Sequence, residues 1–141
     1  MTIAPWMKHP VVTVKPHDSA VHARMVMAKH RINQLPVVVD GRLVGIVTDR
    51  DLRDAFPSVF ESAASSGGSA DPATIPVADL MTANVLTLIP DASLADAARV
   101  MRRERIGAIP IVDRGHLVGL LTRSDVLDAF VGLSRNGKPV A

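Results

Sequence analysis

The sequence predicts a mixed α/β (α+β) protein that consists of two tandem β-α-β-β-α repeats, related by a pseudo-twofold axis within one globular unit. The first observation behind this prediction is an internal repeat. When the chain is shifted by 74 residues without gaps, 17 of the 42 positions in 11–52 are identical to their counterparts. The second is a turn signal between two apolar runs in each half, and the third is a helix-start signal after those runs. The chain is therefore a duplication of one unit.

The first part of each repeat predicts one strand and one helix. Aliphatic and β-branched runs at 11–14 and 85–88 predict the strand, and a proline two residues later ends it. Ser19 and Ser93 then stand at the N-cap position of a helix, because the residues that follow place Ala, Val, Leu and Met on one face.

The second part of each repeat predicts a hairpin followed by a helix. The turn of the first hairpin contains Asp40-Gly41, a strong two-residue hairpin signal, and Arg114-Gly115 takes its place in the second. A helix begins at 49–50 in one repeat and at 123–124 in the other. The paired strands are predicted at 35–39 with 43–48, and at 109–113 with 117–122.

The repeats are predicted to occupy residues 4–56 and 76–131. A segment rich in Ser, Gly and Ala joins them over 57–75, which is the composition of a flexible linker, and the tail at 132–141 is expected to be disordered. One repeat alone is too short to be stable without disulfides or a metal, so the two halves are expected to bury each other's apolar faces.

Composition excludes several classes of function. The formal net charge is only +2 and aromatic residues make up 3% of the chain, which argues against a basic, base-stacking surface for nucleic acid. There is no cysteine, and the five histidines lack the spacing of a helical zinc motif, so no metal site is predicted. No apolar run reaches membrane-spanning length, so we expect no membrane association and a cytoplasmic location.

The motif Gly-x-x-Thr-x-x-Asp occurs once per repeat, where a strand gives way to a helix. It reads Gly45-Ile46-Val47-Thr48-Asp49-Arg50-Asp51 and then Gly119-Leu120-Leu121-Thr122-Arg123-Ser124-Asp125. One interpretation is a helix capping box, which accounts for Thr and Asp without a ligand. The other is a nucleotide site, in which the carboxylate accepts from ribose hydroxyls. In that case Arg50 and Arg123 are available to pair with a phosphate.

The succession of strand, helix, Leu35-Pro36-Val37-Val38 hairpin and Gly-x-x-Thr-x-x-Asp resembles the CBS (cystathionine β-synthase) domain, and two in tandem resemble a Bateman module. The resemblance implies two clefts that bind adenosine-containing ligands, with the motif Asp on the ribose and the Thr near ribose or phosphate. It makes AMP, ADP, ATP, S-adenosylmethionine and NAD the possible ligands, with no required cofactor. The residues it assigns from the two motifs are Thr48, Asp51, Thr122 and Asp125, with Ile46 and Leu120 beside them.

The resemblance also implies that each cleft is shared between the repeats. It assigns Asp125 a partner wall formed by Val12, Asn33, Gln34 and Leu35. It assigns Asp51 a wall formed by Leu86, Gly107 and Ala108. Some family members carry basic residues at the positions of Asn33 and Gln34, so their absence argues against strong polyphosphate binding and predicts two chemically unequal clefts.

These observations predict a regulatory ligand-sensing module without enzymatic activity of its own. The alternative is a structural or dimerisation module in which the same residues only cap helices. In either case the resemblance implies a homodimer, and no nucleic-acid partner is expected.

Overall fold

A computed structural model describes residues 1–55 and 73–135. Most of the predicted linker, Phe56 and the last six residues of the predicted tail lie outside these ranges. The described helices and strands, in chain order, are α1 Ala20–His30, β1 Gln34–Val39, β2 Arg42–Thr48, α2 Asp49–Ala55, a short 3₁₀ helix Val77–Asp79, α3 Leu94–Glu104, β3 Ala108–Asp113, β4 His116–Thr122 and α4 Arg123–Arg135. Helix α4 continues past residue 131, where the second repeat was predicted to end.

The predicted helix starts are confirmed by their hydrogen bonds. The Ser19 hydroxyl accepts from the backbone N–H of His22, and the Ser93 hydroxyl accepts from that of Asp96, both at 3.0 Å. Each helix thereby satisfies one of its unpaired first-turn donors. Both helices end at an arginine in the left-handed conformation, Arg31 and Arg105.

The two predicted hairpins are also confirmed. β1 pairs antiparallel with β2, and β3 pairs antiparallel with β4, as two separate two-stranded sheets. Both residues of each turn have positive φ, 50° and 79° at Asp40 and Gly41, and 53° and 85° at Arg114 and Gly115. This is the backbone of the type I′ turn, whose twist matches that of the strands, and it explains why glycine recurs there.

The prediction of regular strands at 11–14 and 85–88 is wrong. Each run contributes a single residue, Val14 or Leu88, which forms one parallel bridge to the first strand of the hairpin. Val14 donates to the carbonyl of Pro36 at 3.1 Å and accepts from Val38 at 3.0 Å. The pairing stops there because the next residue that faces the hairpin strand is Pro16, which has no N–H to donate.

The chain divides into two compact units that do not follow the order of the repeats. One unit contains residues 12–85 and the other contains 1–11 together with 86–141. The N-terminal segment of each repeat, together with the few residues before it, is called its arm (residues 1–11 and 73–85), and it packs on the other repeat. The pseudo-twofold relation of the repeats remains a prediction.

Equivalent residues attach the two arms. Ile3 donates to the carbonyl of Ala92 at 2.9 Å, and Val77, 74 positions later, donates to Asp18 at 2.7 Å. Both Ile3 and Val77 are fully buried. Each arm therefore fills the core of its unit and supplies backbone partners where a helix begins.

Each unit has its own apolar core. The core of the first unit includes Leu35, Val47 and Leu52, and that of the second includes Ile109, Leu121 and Ala129. The buried residues of both cores are aliphatic residues and methionine. None of the helices in the described ranges has the length and apolar character needed to cross a membrane.

Candidate ligand-binding site

In the first repeat, the motif closes a reciprocal cap at the start of α2. The Asp51 N–H donates to the Thr48 hydroxyl at 3.0 Å, and the Thr48 N–H donates to Asp51 Oδ2 at 2.8 Å. Thr48 is the last residue of β2, so the strand end fixes the hydroxyl and the helix fixes the carboxylate. Asp51 remains partly exposed. The capping interpretation is therefore correct for the backbone, and the carboxylate keeps an open side.

In the second repeat, the same cap forms at the start of α4 but lies deeper. The Thr122 N–H donates to Asp125 Oδ2 at 2.8 Å, and the Asp125 N–H donates to the Thr122 hydroxyl at 3.3 Å. The Thr122 hydroxyl itself donates to the same Oδ2 at 2.9 Å. Asp125 is only 5% exposed and is the one charged residue classed as buried in the described ranges.

A lysine from the arm completes the second site. Lys8 Nζ lies 2.5 Å from Asp125 Oδ1 and 3.2 Å from the Thr122 hydroxyl oxygen. The Lys8 side chain is 52% exposed, whereas that of Asp125 is 7% exposed. The ammonium therefore compensates a carboxylate that burial would otherwise penalise, while the lysine side chain as a whole stays half exposed.

Two backbone hydrogen bonds hold each arm beside its motif. Lys8 exchanges N–H···O bonds with Leu120 at 2.8 and 3.0 Å, and Thr82 does the same with Ile46 at 2.8 and 3.0 Å. Ile46 and Leu120, predicted as ligand contacts, thus pair through their backbones with the arms. Position 8 and position 82 are equivalent in the repeat, so the second site carries a lysine where the first carries a threonine.

The glycine of each motif has a packing role. A Cβ at Gly45 would lie 2.5 Å from Met81 Sδ, and one at Gly119 would collide with Met7 Sδ. Neither glycine has a positive φ, so close approach rather than backbone conformation requires it. The motif therefore includes glycine because a methionine of the arm lies directly on the strand.

Among the described residues, neither of the two predicted phosphate-binding arginines forms an ion pair with the carboxylate of its motif. Arg50 is exposed and pairs with Asp54 at 3.8 Å, one turn along α2. Arg123 lies with its guanidinium 3.6–3.7 Å from the point where a Cβ on Gly107 would be. It also borders an open cavity of about 540 Å³ between α3 and α4, lined by Ala98, Met101, Arg102, Arg105, Arg123, Val126 and Leu127. Their part in phosphate binding remains a prediction.

The predicted wall residues of the first repeat lie next to the motif of that same repeat. The Asn33 carbonyl accepts from the Asp49 N–H at 2.8 Å, and Gln34 is the register partner of Thr48. Leu35 is fully buried in the core and Val12 packs against the same core. Of these four wall residues, Asn33 and Gln34 thus bring polar groups near a motif. Leu35 packs in the core beneath the strand.

The second repeat repeats this arrangement with smaller side chains. The Gly107 carbonyl accepts from the Arg123 N–H at 3.0 Å, and Ala108 is the register partner of Thr122. Leu86 is partly buried. Within each repeat, the surroundings of the two motifs therefore differ in polarity. The inequality of two clefts shared between the repeats remains a prediction.

Lys8 is the site residue that the sequence analysis missed. Lys8 lies before the 42 matched positions, and at the same shift of 74 Met7-Lys8 lies over Met81-Thr82. Extending the comparison would have aligned the arms. It would not have shown that the arm of one repeat packs on the other, because both arrangements give the same alignment.

The chain belongs to the CBS domain family. The family model, described as "CBS domain", matches residues 3–58 and 77–132. The inosine-5'-monophosphate dehydrogenase of Korarchaeum cryptofilum is 38% identical over 117 residues, which are 82% of this chain but only 21% of that protein. The match therefore covers about a fifth of the length of that enzyme.

Solved structures of the family superpose over nearly the whole chain. The crystal structure of CBSX2 in complex with AMP has a TM-score of 0.80 and 30% identity, and the match covers 95% of this chain and 98% of that one. The CBS domain pair of MJ0100, in complex with 5'-methylthioadenosine and S-adenosyl-L-methionine, has a TM-score of 0.77 and 28% identity over 94% of this chain and 97% of that one. The predicted tandem CBS fold is thus confirmed.

Proposed function

We propose that this chain is a regulatory module that binds an adenosine-containing ligand through the Thr-x-x-Asp motifs, with AMP, ADP, ATP, S-adenosylmethionine and NAD as candidates. Related CBS domain pairs bind AMP, or 5'-methylthioadenosine and S-adenosyl-L-methionine. Ligand binding would shift the population of two conformations that differ in affinity, and so regulate a partner or a neighbouring domain.

The observation that carries the proposal is the Asp125 carboxylate. Burying a charge is costly, and a helix cap needs only an acceptor, which an asparagine or a serine also supplies. Asp125 is nevertheless ionisable, 5% exposed and held by three hydrogen bonds in a fixed position next to the Thr122 hydroxyl. A carboxylate fixed beside a hydroxyl suits a ribose hydroxyl as donor, and the same pair recurs as Thr48 and Asp51, where more of the carboxylate is free.

The proposal is tested by titrating the five candidate ligands into the protein and measuring the melting temperature and binding heat. A ligand present at about 100 times its Kd stabilises the folded state by about 2.7 kcal/mol. Asp125→Asn removes the charge and keeps an oxygen for the cap, so it should weaken binding without unfolding the helix. Asp51→Asn tests the other motif in the same way.

The matched control is Ser93→Ala, which removes a helix cap in the same unit and has no part in the proposed site. It should cost about 1 kcal/mol of stability and leave ligand binding unchanged. Absence of binding heat for all five ligands, or equal binding by wild type and both Asp→Asn variants, would contradict the proposal.

A second candidate function is a structural or dimerisation module. It is favoured by the exposed apolar side chains of α4, with Leu127, Phe130 and Val131 at 64%, 57% and 42% exposure. An apolar face of this kind is typical of a surface that another protein covers. Sedimentation with and without nucleotide separates the two, because this candidate requires self-association that the ligand does not alter.

A further inference from the structure

The two motif carboxylates offer a ligand different numbers of free acceptor positions. A carboxylate has about four lone-pair positions, two on each oxygen. At Asp125, Oδ2 accepts from both the N–H and the hydroxyl of Thr122, and Oδ1 accepts from Lys8. One position therefore remains. A ribose that donates both of its hydroxyls needs two.

At Asp51 the count is different. Its carboxylate accepts from the Thr48 N–H on Oδ2, and among the described residues no cation forms an ion pair with it. The arm residue at this site is Thr82, which has no charge to contribute. The Asp51 carboxylate therefore has enough free acceptor positions for both ribose hydroxyls.

A ribose binds the Asp125 carboxylate with both hydroxyls only if the Lys8 ammonium leaves Oδ1. The ammonium is mobile enough to do so, because its side chain is 52% exposed on a flexible four-carbon stem. Its departure removes the compensating charge from a carboxylate that is 7% exposed. A ligand that carries its own anionic group next to the ribose gives the ammonium a new partner, whereas a neutral ligand does not.

We propose that Lys8 is a specificity-determining residue of the second site, where it makes binding at Asp125 conditional on an anionic group such as a phosphate. This inference rests on the proposed function. In the absence of ligand, Lys8 occupies the acceptor that the ribose requires. On binding, it transfers from Asp125 to the anion and forms a charge-assisted hydrogen bond there. The first site, with Thr82 at the equivalent position, lacks this selection.

The experiment compares adenosine, which is neutral, with AMP, which differs by the phosphate alone. Binding is measured by calorimetry in an Asp51→Asn background, so that the second site is observed. With Lys8 present, AMP should bind at least about tenfold more tightly than adenosine, the range expected of one charge-assisted contact. Lys8→Met should abolish most of this ratio by raising the affinity for adenosine and lowering that for AMP.

Two variants control for structural effects. Lys8→Arg keeps the charge and should keep a preference for AMP, while Thr82→Lys, in an Asp125→Asn background, should create such a preference at the first site. If Lys8 only stabilised the arm, Lys8→Met would weaken both ligands by the same factor, and that result would overturn the inference.

The failure of this inference is distinguishable from that of the proposed function. If wild type binds AMP and adenosine but Lys8→Met leaves their ratio unchanged, only the role of Lys8 is wrong. If no variant, wild type included, gives binding heat with either ligand, the proposed function fails and the inference fails with it.

Discussion

The two Thr-x-x-Asp sites have the same hydrogen-bonded helix cap but differ in the charged groups around it. In each, a threonine at a strand end and an aspartate in the first helical turn exchange the same two hydrogen bonds. Asp125 lies deeper than Asp51 and is paired with Lys8, whereas the arm at Asp51 carries Thr82 at the equivalent position. After a duplication, then, the cap fixes where the carboxylate lies, and an arm residue together with the threonine hydroxyl decides how many acceptor positions stay free.

The largest effect is expected in the two cores, where the repeats should behave alike. Leu35 and Ile109 occupy equivalent positions and are both fully buried. Truncation of either to alanine should cost about 2–5 kcal/mol, because it removes buried apolar atoms and leaves a cavity. Urea unfolding measures this loss. The exposed equivalent pair Arg42→Ala and His116→Ala should change stability by no more than about 0.5 kcal/mol. If only one of Leu35→Ala and Ile109→Ala lowered the free energy of unfolding, the two cores would not be equivalent.

The next effect is expected where the arms pack on the motifs. Gly45→Ala and Gly119→Ala place a methyl group against Met81 and Met7, so each should cost about 1–3 kcal/mol through overpacking. Thermal unfolding measures the loss. A second substitution, Met81→Ala or Met7→Ala, removes the opposing atoms. If packing is the cause, the double variant loses less than the sum of the two single variants. Strict additivity would instead point to an effect on the strand itself.

The smallest effect is expected at the threonines, and it sharpens the difference between the sites. The Thr48 hydroxyl accepts one hydrogen bond, from Asp51. The Thr122 hydroxyl accepts from Asp125 and Lys8 and donates to Asp125. Replacement of an N-cap threonine by alanine costs about 0.5–2 kcal/mol, so we expect Thr48→Ala at the lower end and Thr122→Ala at the upper end.

The stability losses of the threonine variants are measured as changes in melting temperature at low and high salt. Thr48→Ser and Thr122→Ser keep the hydroxyl and should recover most of each loss. Equal losses for Thr48→Ala and Thr122→Ala at both salt concentrations would show that the extra hydrogen bonds around Thr122 add no stability.

Local elements were predictable because short-range rules govern them. The type I′ turns follow from Asp40-Gly41 and Arg114-Gly115, and the first caps follow from Ser19 and Ser93, since turns and caps depend on a few adjacent residues. The strand prediction at 11–14 failed for a related reason. A β-branched run satisfies the local preference for a strand, but only Val14 of this run forms a bridge to a neighbouring strand.

The sequence by itself determined the duplication, the hairpins, the helix starts and the pair of Thr-x-x-Asp motifs, because each depends on residues close together along the chain. The tertiary structure alone decided that each arm packs on the other repeat, that Asp125 is buried while Asp51 stays partly exposed, and that Lys8 meets Asp125 across 117 positions. The physical reason is that segments distant in sequence give two equivalent helix caps different burial and different charged neighbours. Local preferences along the chain do not specify which distant segment packs against a given cap.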